Sequence, residues 1–204
     1  MKGVTAMAEK QEVDLKNKRI GVALCGSFCT FSKTFDAVEE LVRLGAEVTP
    51  IMSFNAYSTD TRFGSAAELN ARLEKICGRP VIHTIADAEP IGPMRMFDVL
   101  AVAPCTGNTL AKLAFGITDT PVTMAVKSHI RNSRPVVIAV STNDALAGAA
   151  KAIGLLENYK NYYFVPMRQD DSEKKPFSVV ADYTLLKNAV EAALRGVQLQ
   201  PMIL

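Results

Sequence analysis

The chain has no tryptophan, two histidines (His83 and His129) and four cysteines in 204 residues. Cys25, Cys29, Cys77 and Cys105 show no paired short spacing, so with so few histidines neither a structural zinc site nor a disulfide framework is expected, and no metal is assigned. An excess of charge of one sign is also missing. The 23 basic and 21 acidic residues are dispersed and leave a net charge of +2, which provides no basic stripe for nucleic acid. No apolar run reaches the ~18 residues that cross a bilayer, and Met1 to Lys18 mixes charges where a signal peptide would carry an apolar block. These absences point to a cytoplasmic protein that engages neither membrane nor nucleic acid.

What the chain does have is a 49% hydrophobic composition, enough for one sizeable α/β core. Residues 1–17 are polar and aperiodic and are expected to form a flexible tail ahead of a single domain over 18–204. Apolar runs at Arg19–Leu24, Glu47–Met52, Phe97–Val102, Pro135–Val140 and Tyr162–Val165 predict strands, with a short one near residues 80–85. Between them, helical periodicity recurs from Phe31 to Leu44, through Leu69, Leu73 and Ile76, from Asn108 onward, over Asp119–Asn132, and in the Ala-rich stretch that Ser141–Asp144 would cap. Arg168–Lys175 is charged and predicted mobile, and Asp182–Arg195 closes the chain as a helix. Strict alternation predicts right-handed crossovers and a single doubly wound parallel sheet. Four polar loops then fall at the carboxyl ends of strands, at 26–30, 53–64, 104–109 and 141–144, and predict one crevice.

The junction Ala103-Pro104-Cys105-Thr106-Gly107-Asn108-Thr109 places small polar residues where an apolar strand meets a helix. Thr106 or Asn108 can cap that helix; its free backbone N–H groups, and the Asn108 amide with its donor and acceptor, equally suit a ligand. Gly26, Ser27 and Thr30 lack the spacing of a dinucleotide fingerprint, so nicotinamide binding is disfavoured, while a mononucleotide phosphate or a plain turn both remain open. Cys105 is assigned to packing, His83 to an interior or edge position, and His129 to the end of a helix, where a cation suits the dipole. Arg62, Lys127, Arg131 and Arg168 are candidates for holding an acidic substrate.

The segment Phe97–Thr123 resembles the flavoprotein family that includes the FMN-dependent cysteine decarboxylases, whose motif has the form A-P-x-S-A-N-T-L-A-K-x-A-x-G-x-x-D-x-x-x-T. Thr106 and Gly107 replace serine and alanine, while Pro104, Asn108, Thr109, Lys112, Gly116, Asp119 and Thr123 agree. The resemblance implies a flavodoxin-like (Rossmann-like) three-layer sandwich that holds FMN, or phosphate in its place, through Gly26, Ser27, Thr30, Ser53, Pro104, Thr106, Asn108 and Thr109. It also implies self-association. The decarboxylases' histidine falls on Pro90, their substrate clamp keeps only Asn143, and their late cysteine has no counterpart.

Cys25-Gly26-Ser27-Phe28-Cys29-Thr30 and Lys175-Pro176-Phe177-Ser178 resemble one branch of the family more closely. That branch implies an oxidoreductase subunit that helps convert a cyclic lysine-pathway intermediate to pyridine-2,6-dicarboxylate during sporulation. A Rossmann-type partner subunit would carry NAD(P), and Asn143, Lys127 and Arg62 would meet the small dicarboxylate substrate. The alternatives are an FMN-dependent decarboxylase with relocated groups, or a non-catalytic partner subunit with a vestigial nucleotide site.

Overall fold

The computed structural model describes residues 13–204. In chain order the elements are β1 (Arg19–Leu24), α1 (Phe31–Arg43), β2 (Glu47–Met52), α2 (Phe54–Ser58), α3 (Ala66–Cys77), α4 (Ile85–Ala88), β3 (Val99–Cys105), α5 (Gly107–Ala114) and α6 (Pro121–Ile130). They continue with β4 (Val136–Thr142), α7 (Ala150–Glu157), β5 (Tyr162–Phe164), β6 (Met167–Asp171), β7 (Lys175–Ala181) and α8 (Leu186–Leu194). Strands β2, β1, β3 and β4 lie side by side in parallel, and β5 runs parallel to the first half of β4. From β1 the chain moves outward to β2 and then returns to β3 on the other side. This flavodoxin-like order opens a gap for ligand between the carboxyl ends of β1 and β3.

The period-2 alternation of each strand divides the core into two layers. Ile20, Val22 and Leu24 join Val99, Ala101 and Ala103 on the face covered by α1 and α8, through Val38, Leu41, Leu186 and Val190. Ala23, Cys25, Leu100, Val102 and Cys105 face α5, α6 and α7, through Leu110, Leu113, Val122, Val126 and Leu156. Both layers are apolar: beyond Arg19 at the start of β1, the strands β1, β3 and β4 carry only apolar and cysteine side chains up to Ser141 and Thr142, which line the crevice.

The sheet is parallel only in part. Residues 168–175, expected to be mobile, belong instead to the antiparallel hairpin β6–β7, and β7 pairs with the end of β4 through Ser141↔Val180 and Thr142↔Val179. Charge masked the strand pattern here because β6 is an edge strand, where exposed Arg168, Gln169 and Asp170 are tolerated and even protective. The stretch 80–85 makes a single bridge, Ile51↔Ile82, and passes directly into α4. Asp144 does not cap a helix. Its carbonyl accepts from Ala147 N (2.9 Å) and Ala149 N (3.1 Å) in a run of turns, and α7 starts only at Ala150. Most of the expected tail, residues 1–12, lies outside the described residues, whereas Leu15 is 3% exposed and belongs to the core.

At the amino-terminal rim, polar groups are tied to one another. Asp98 accepts from Arg19 N (3.0 Å), Arg19 Nη2 (3.0 Å) and Arg134 Nη1 (3.1 Å). His129 is buried rather than charged at a helix end, and its Nε2 donates to the Pro135 carbonyl (3.1 Å). Burial depresses its pKa to about 4, outweighing the bond to Pro135.

Candidate functional site

At the opposite rim, the loops after β1, β2, β3 and β4 and the β6–β7 hairpin enclose a crevice of about 700 Å³, a size common among small-molecule sites. Its floor is the motif at the end of β3. Thr106 occupies the N-cap position of α5 but forms no side-chain cap bond, and its Oγ1 lies 3.4 Å from Thr109 Oγ1. Asn108 is exposed, and its amide has no hydrogen-bond partner among the described residues. The first turn of α5 therefore faces the crevice uncapped, with an amide beside it that can both donate and accept.

The β1 loop forms one wall. Ser27 Oγ lies 2.9 Å from Ser141 Oγ, a bond that spans the crevice from β1 to β4. Thr30 is 6% exposed, donates its hydroxyl to Ser27 O (2.7 Å) and accepts from buried Tyr183 (3.4 Å), so it shapes the loop. A Cβ on Gly26 would meet nothing closer than Phe28 at 3.5 Å. Packing therefore places no demand for glycine here, and the open face lies toward the crevice. Cys29 is exposed on the same wall, and Lys33, one turn into α1, brings an ammonium to it.

The remaining walls supply charge. Arg62 and Phe63 come from the β2 loop, with the guanidinium 4.9 Å from the Phe63 ring centre. Asn143 and Asp144 come from the β4 loop. The hairpin contributes Ser178 and the Lys175–Asp170 pair, at 2.5 Å, in which Asp170 raises the Lys175 pKa through a direct hydrogen bond.

Gly26, Ser27, Thr30, Thr106, Asn108, Asn143 and Arg62 all line this crevice. The other candidates fall elsewhere. Ser53 stands off the lining and its hydroxyl accepts from Ala56 N (3.3 Å) as the N-cap of α2. Pro104 is buried in the strand, and its carbonyl accepts from Cys25 N (3.1 Å). Thr109 is 5% exposed and donates to Cys25 Sγ (3.2 Å) beneath the floor. Lys127 lies in the last turn of α6, and Arg131 follows that turn, at the amino-terminal rim. Arg168 pairs with Asp182 (3.5 Å) in a neighbouring groove between α1 and β6. Cys105 is fully buried, and burial holds its thiol well above the ordinary range. Pro90 lies in the turn over α6, where Ser128 Oγ donates to Glu89 O.

Much of the motif is scaffold. Lys112 Nζ bonds both Asp119 oxygens (2.7 and 2.8 Å), Gly116 takes φ +69° past the end of α5, and Thr120 and Thr123 form the capping box of α6. Sequence reasoning places the loops of Cys29 and Asp144 at the crevice without singling out either residue, and it missed Lys33 and Lys175. Helical spacing from Thr30 gives a signal for Lys33, whereas no local pattern predicts that the hairpin folds back over the site.

The flavoprotein family model, described as Flavoprotein, matches residues 8–168. The chain is 49% identical over 189 residues to the dipicolinate synthase B subunit of Bacillus subtilis (strain 168), covering 93% of this chain and 94% of that protein. The crystal structure of the dipicolinate synthase B subunit from Bacillus halodurans superposes with a TM-score of 0.87 at 41% identity, over 94% of this chain and 98% of that one. The FMN-dependent cysteine decarboxylase SpaF shares the fold, with a TM-score of 0.64 at 22% identity over 88% of this chain and 98% of that one.

Proposed function

Because the chain belongs to the Flavoprotein family, we propose that it acts as the flavin-holding B subunit of a dipicolinate synthase, helping to oxidise a cyclic lysine-pathway intermediate to pyridine-2,6-dicarboxylate during sporulation. The observation that carries this reading is the floor of the crevice: an Asn108 amide without a hydrogen-bond partner among the described residues, beside an uncapped α5, within about 700 Å³ of open space. Those features fit FMN in donor set and in size. Asn108 would meet the polar edge of the heterocycle, and Ser27 with Lys33 would hold the phosphate. When bound, FMN supplies a hydride acceptor.

The protein's own groups orient the substrate. Arg62 presents a cation to its carboxylates, and the β6–β7 hairpin limits the access of water from the side. A second, Rossmann-type protein carrying NAD(P) would complete the cytoplasmic enzyme. Decarboxylation is disfavoured because the position of the decarboxylases' histidine is Pro90, fixed over α6, and no cysteine follows Cys105. A second copy would cover exposed Phe115, Ile117 and Tyr159 around the end of α5, an apolar patch that light scattering would report as an oligomer.

The test mixes the purified chain with a candidate Rossmann-type partner and the cyclic intermediate and measures pyridine-2,6-dicarboxylate, with and without FMN and NAD(P). Product formation that requires this chain and FMN supports the reading. Full activity of the Rossmann-type partner on its own would overturn it.

A further inference from the structure

The crevice holds two carboxylates in different states. Asp170 is neutralised by Lys175 at 2.5 Å. Asp144 has no ion pair among the described residues, and its carboxylate accepts one hydrogen bond, from Thr142 Oγ1 at 2.6 Å. No backbone N–H of α5 donates to it, so it is not a substitute cap for that helix.

Both of its oxygens occupy notches left by glycine. A Cβ on Gly107 would stand 2.7 Å from Oδ1 and 2.8 Å from Thr142 Oγ1, and a Cβ on Gly148 would stand 3.3 Å from Oδ2. The family motif has alanine where this chain has Gly107, so the exchange makes room for this carboxylate and for the hydroxyl that orients it. The Asp144 carbonyl is held independently by Ala147 N and Ala149 N, so the turn does not depend on the side chain. The half-buried carboxylate is held in one orientation by that hydroxyl, beside the first turn of α5, and it lines the open crevice without an ion-pair partner among the described residues. Across the crevice stand the cations Lys33 and Arg62, which attract the opposite kind of group.

We propose that Asp144 pairs with a protonated ring nitrogen, so that the crevice selects cyclic amine or iminium dicarboxylates over dicarboxylates that lack the cation. The inference rests on the proposed function for the dicarboxylate half of the ligand. What it adds is the residue that recognises the ring nitrogen of that ligand. A charge-assisted N–H···O bond in a partly dry site is worth roughly a tenfold change in affinity or more.

Isothermal titration of the full chain compares two probes of the same shape, cis-piperidine-2,6-dicarboxylate and cis-cyclohexane-1,3-dicarboxylate, which differ by a ring N–H2+ against CH2. The wild-type chain is expected to bind the piperidine about tenfold more tightly than the carbocycle, or better. Asp144→Asn, isosteric and uncharged, is expected to erase that preference while retaining affinity for the carbocycle. Equal affinities in the wild-type chain, or a preference that persists in Asp144→Asn, would overturn the inference alone. Binding of neither probe would overturn the dicarboxylate reading, and the inference with it.

Discussion

The two rims of the same sheet use similar side chains to opposite ends. At the amino-terminal rim, Asp98 is held by Arg19 and Arg134, His129 by Pro135 O, and the Gly92 carbonyl by Asn132 Nδ2 (2.7 Å). At the carboxyl-terminal rim, Asn108 has no partner among the described residues, α5 is uncapped, and Asp144 meets only a hydroxyl. Residue type therefore does not separate structural from functional polarity in this fold. Satisfaction separates Asp98 and His129 from Asn108 and Asp144: the first two are tied to neighbouring groups between the β-α-β units, and the last two face the crevice.

Two glycines put that contrast most sharply. A Cβ at Gly92 would overlap the backbone carbonyl of Ser128 on α6, with Ser128 Oγ 2.8 Å away and already accepting from Gly92 N (3.0 Å). A helix backbone cannot rotate aside, so Gly92→Ala is expected to destabilise the protein by about 3 kcal/mol or more, measured as the midpoint of denaturant unfolding. A loss below about 1 kcal/mol would show that this rim is looser than its hydrogen bonds imply.

The next largest effect depends on pH. The unfolded chain takes up a proton at His129 near pH 6.5, but the folded protein resists until about pH 4 because burial disfavours the imidazolium. Stability should therefore fall as pH drops through that window, by about 3 kcal/mol, and level off below it. His129→Gln keeps a donor for Pro135 O and should flatten this slope. Asp98 acts further down the scale: burial raises its pKa, but the Arg19 bonds and the charges of Arg19 and Arg134 outweigh that and lower it. Its contribution is present above the ordinary carboxylate range and is lost as pH falls through the depressed value.

Asn108→Ala tests the open rim. A helix cap would lose about 1 kcal/mol of stability on this change, but the structure gives Asn108 no cap bond. Unfolding should be nearly unchanged, while FMN affinity, followed by quenching of flavin fluorescence, should weaken about tenfold. Stability loss with unaltered flavin binding would move Asn108 to the structural side of the comparison.

How much of this was legible in the sequence depends on whether the signal was local. Strands β1 and β2 were read to the residue because the apolar residues Ile20–Leu24 and Ile51–Met52 each stop abruptly at a polar loop. The crevice was legible in outline because the loops at the carboxyl ends of β1, β2, β3 and β4 supply most of its lining. Strands β3 and β4 run past their apolar stretches into Cys105 and Thr142, held by pairing with their neighbours, which no window of sequence displays. The hairpin was lost for the same reason. Lys127 and Arg62 looked alike as candidate cations, and only the path of α6 places Lys127 at the far rim.

The smallest expected effect is the counterpart of the first. Gly107→Ala also brings a Cβ within 3 Å of its neighbours, but those neighbours are Asp144 Oδ1 (2.7 Å) and Thr142 Oγ1 (2.8 Å), the free ends of side chains beside an open crevice. They can turn away, so the expected loss of stability is below about 1 kcal/mol. The carboxylate, however, would leave its notch and the hydroxyl that orients it. Calorimetric unfolding set against titration with cis-piperidine-2,6-dicarboxylate separates the two consequences. A nearly unchanged unfolding temperature with a weakened preference for the amine places Gly107 with the ligand. A collapse in stability as severe as that of Gly92→Ala would show that this rim is packed as tightly as the other, and that the openness of the crevice does not extend to its floor.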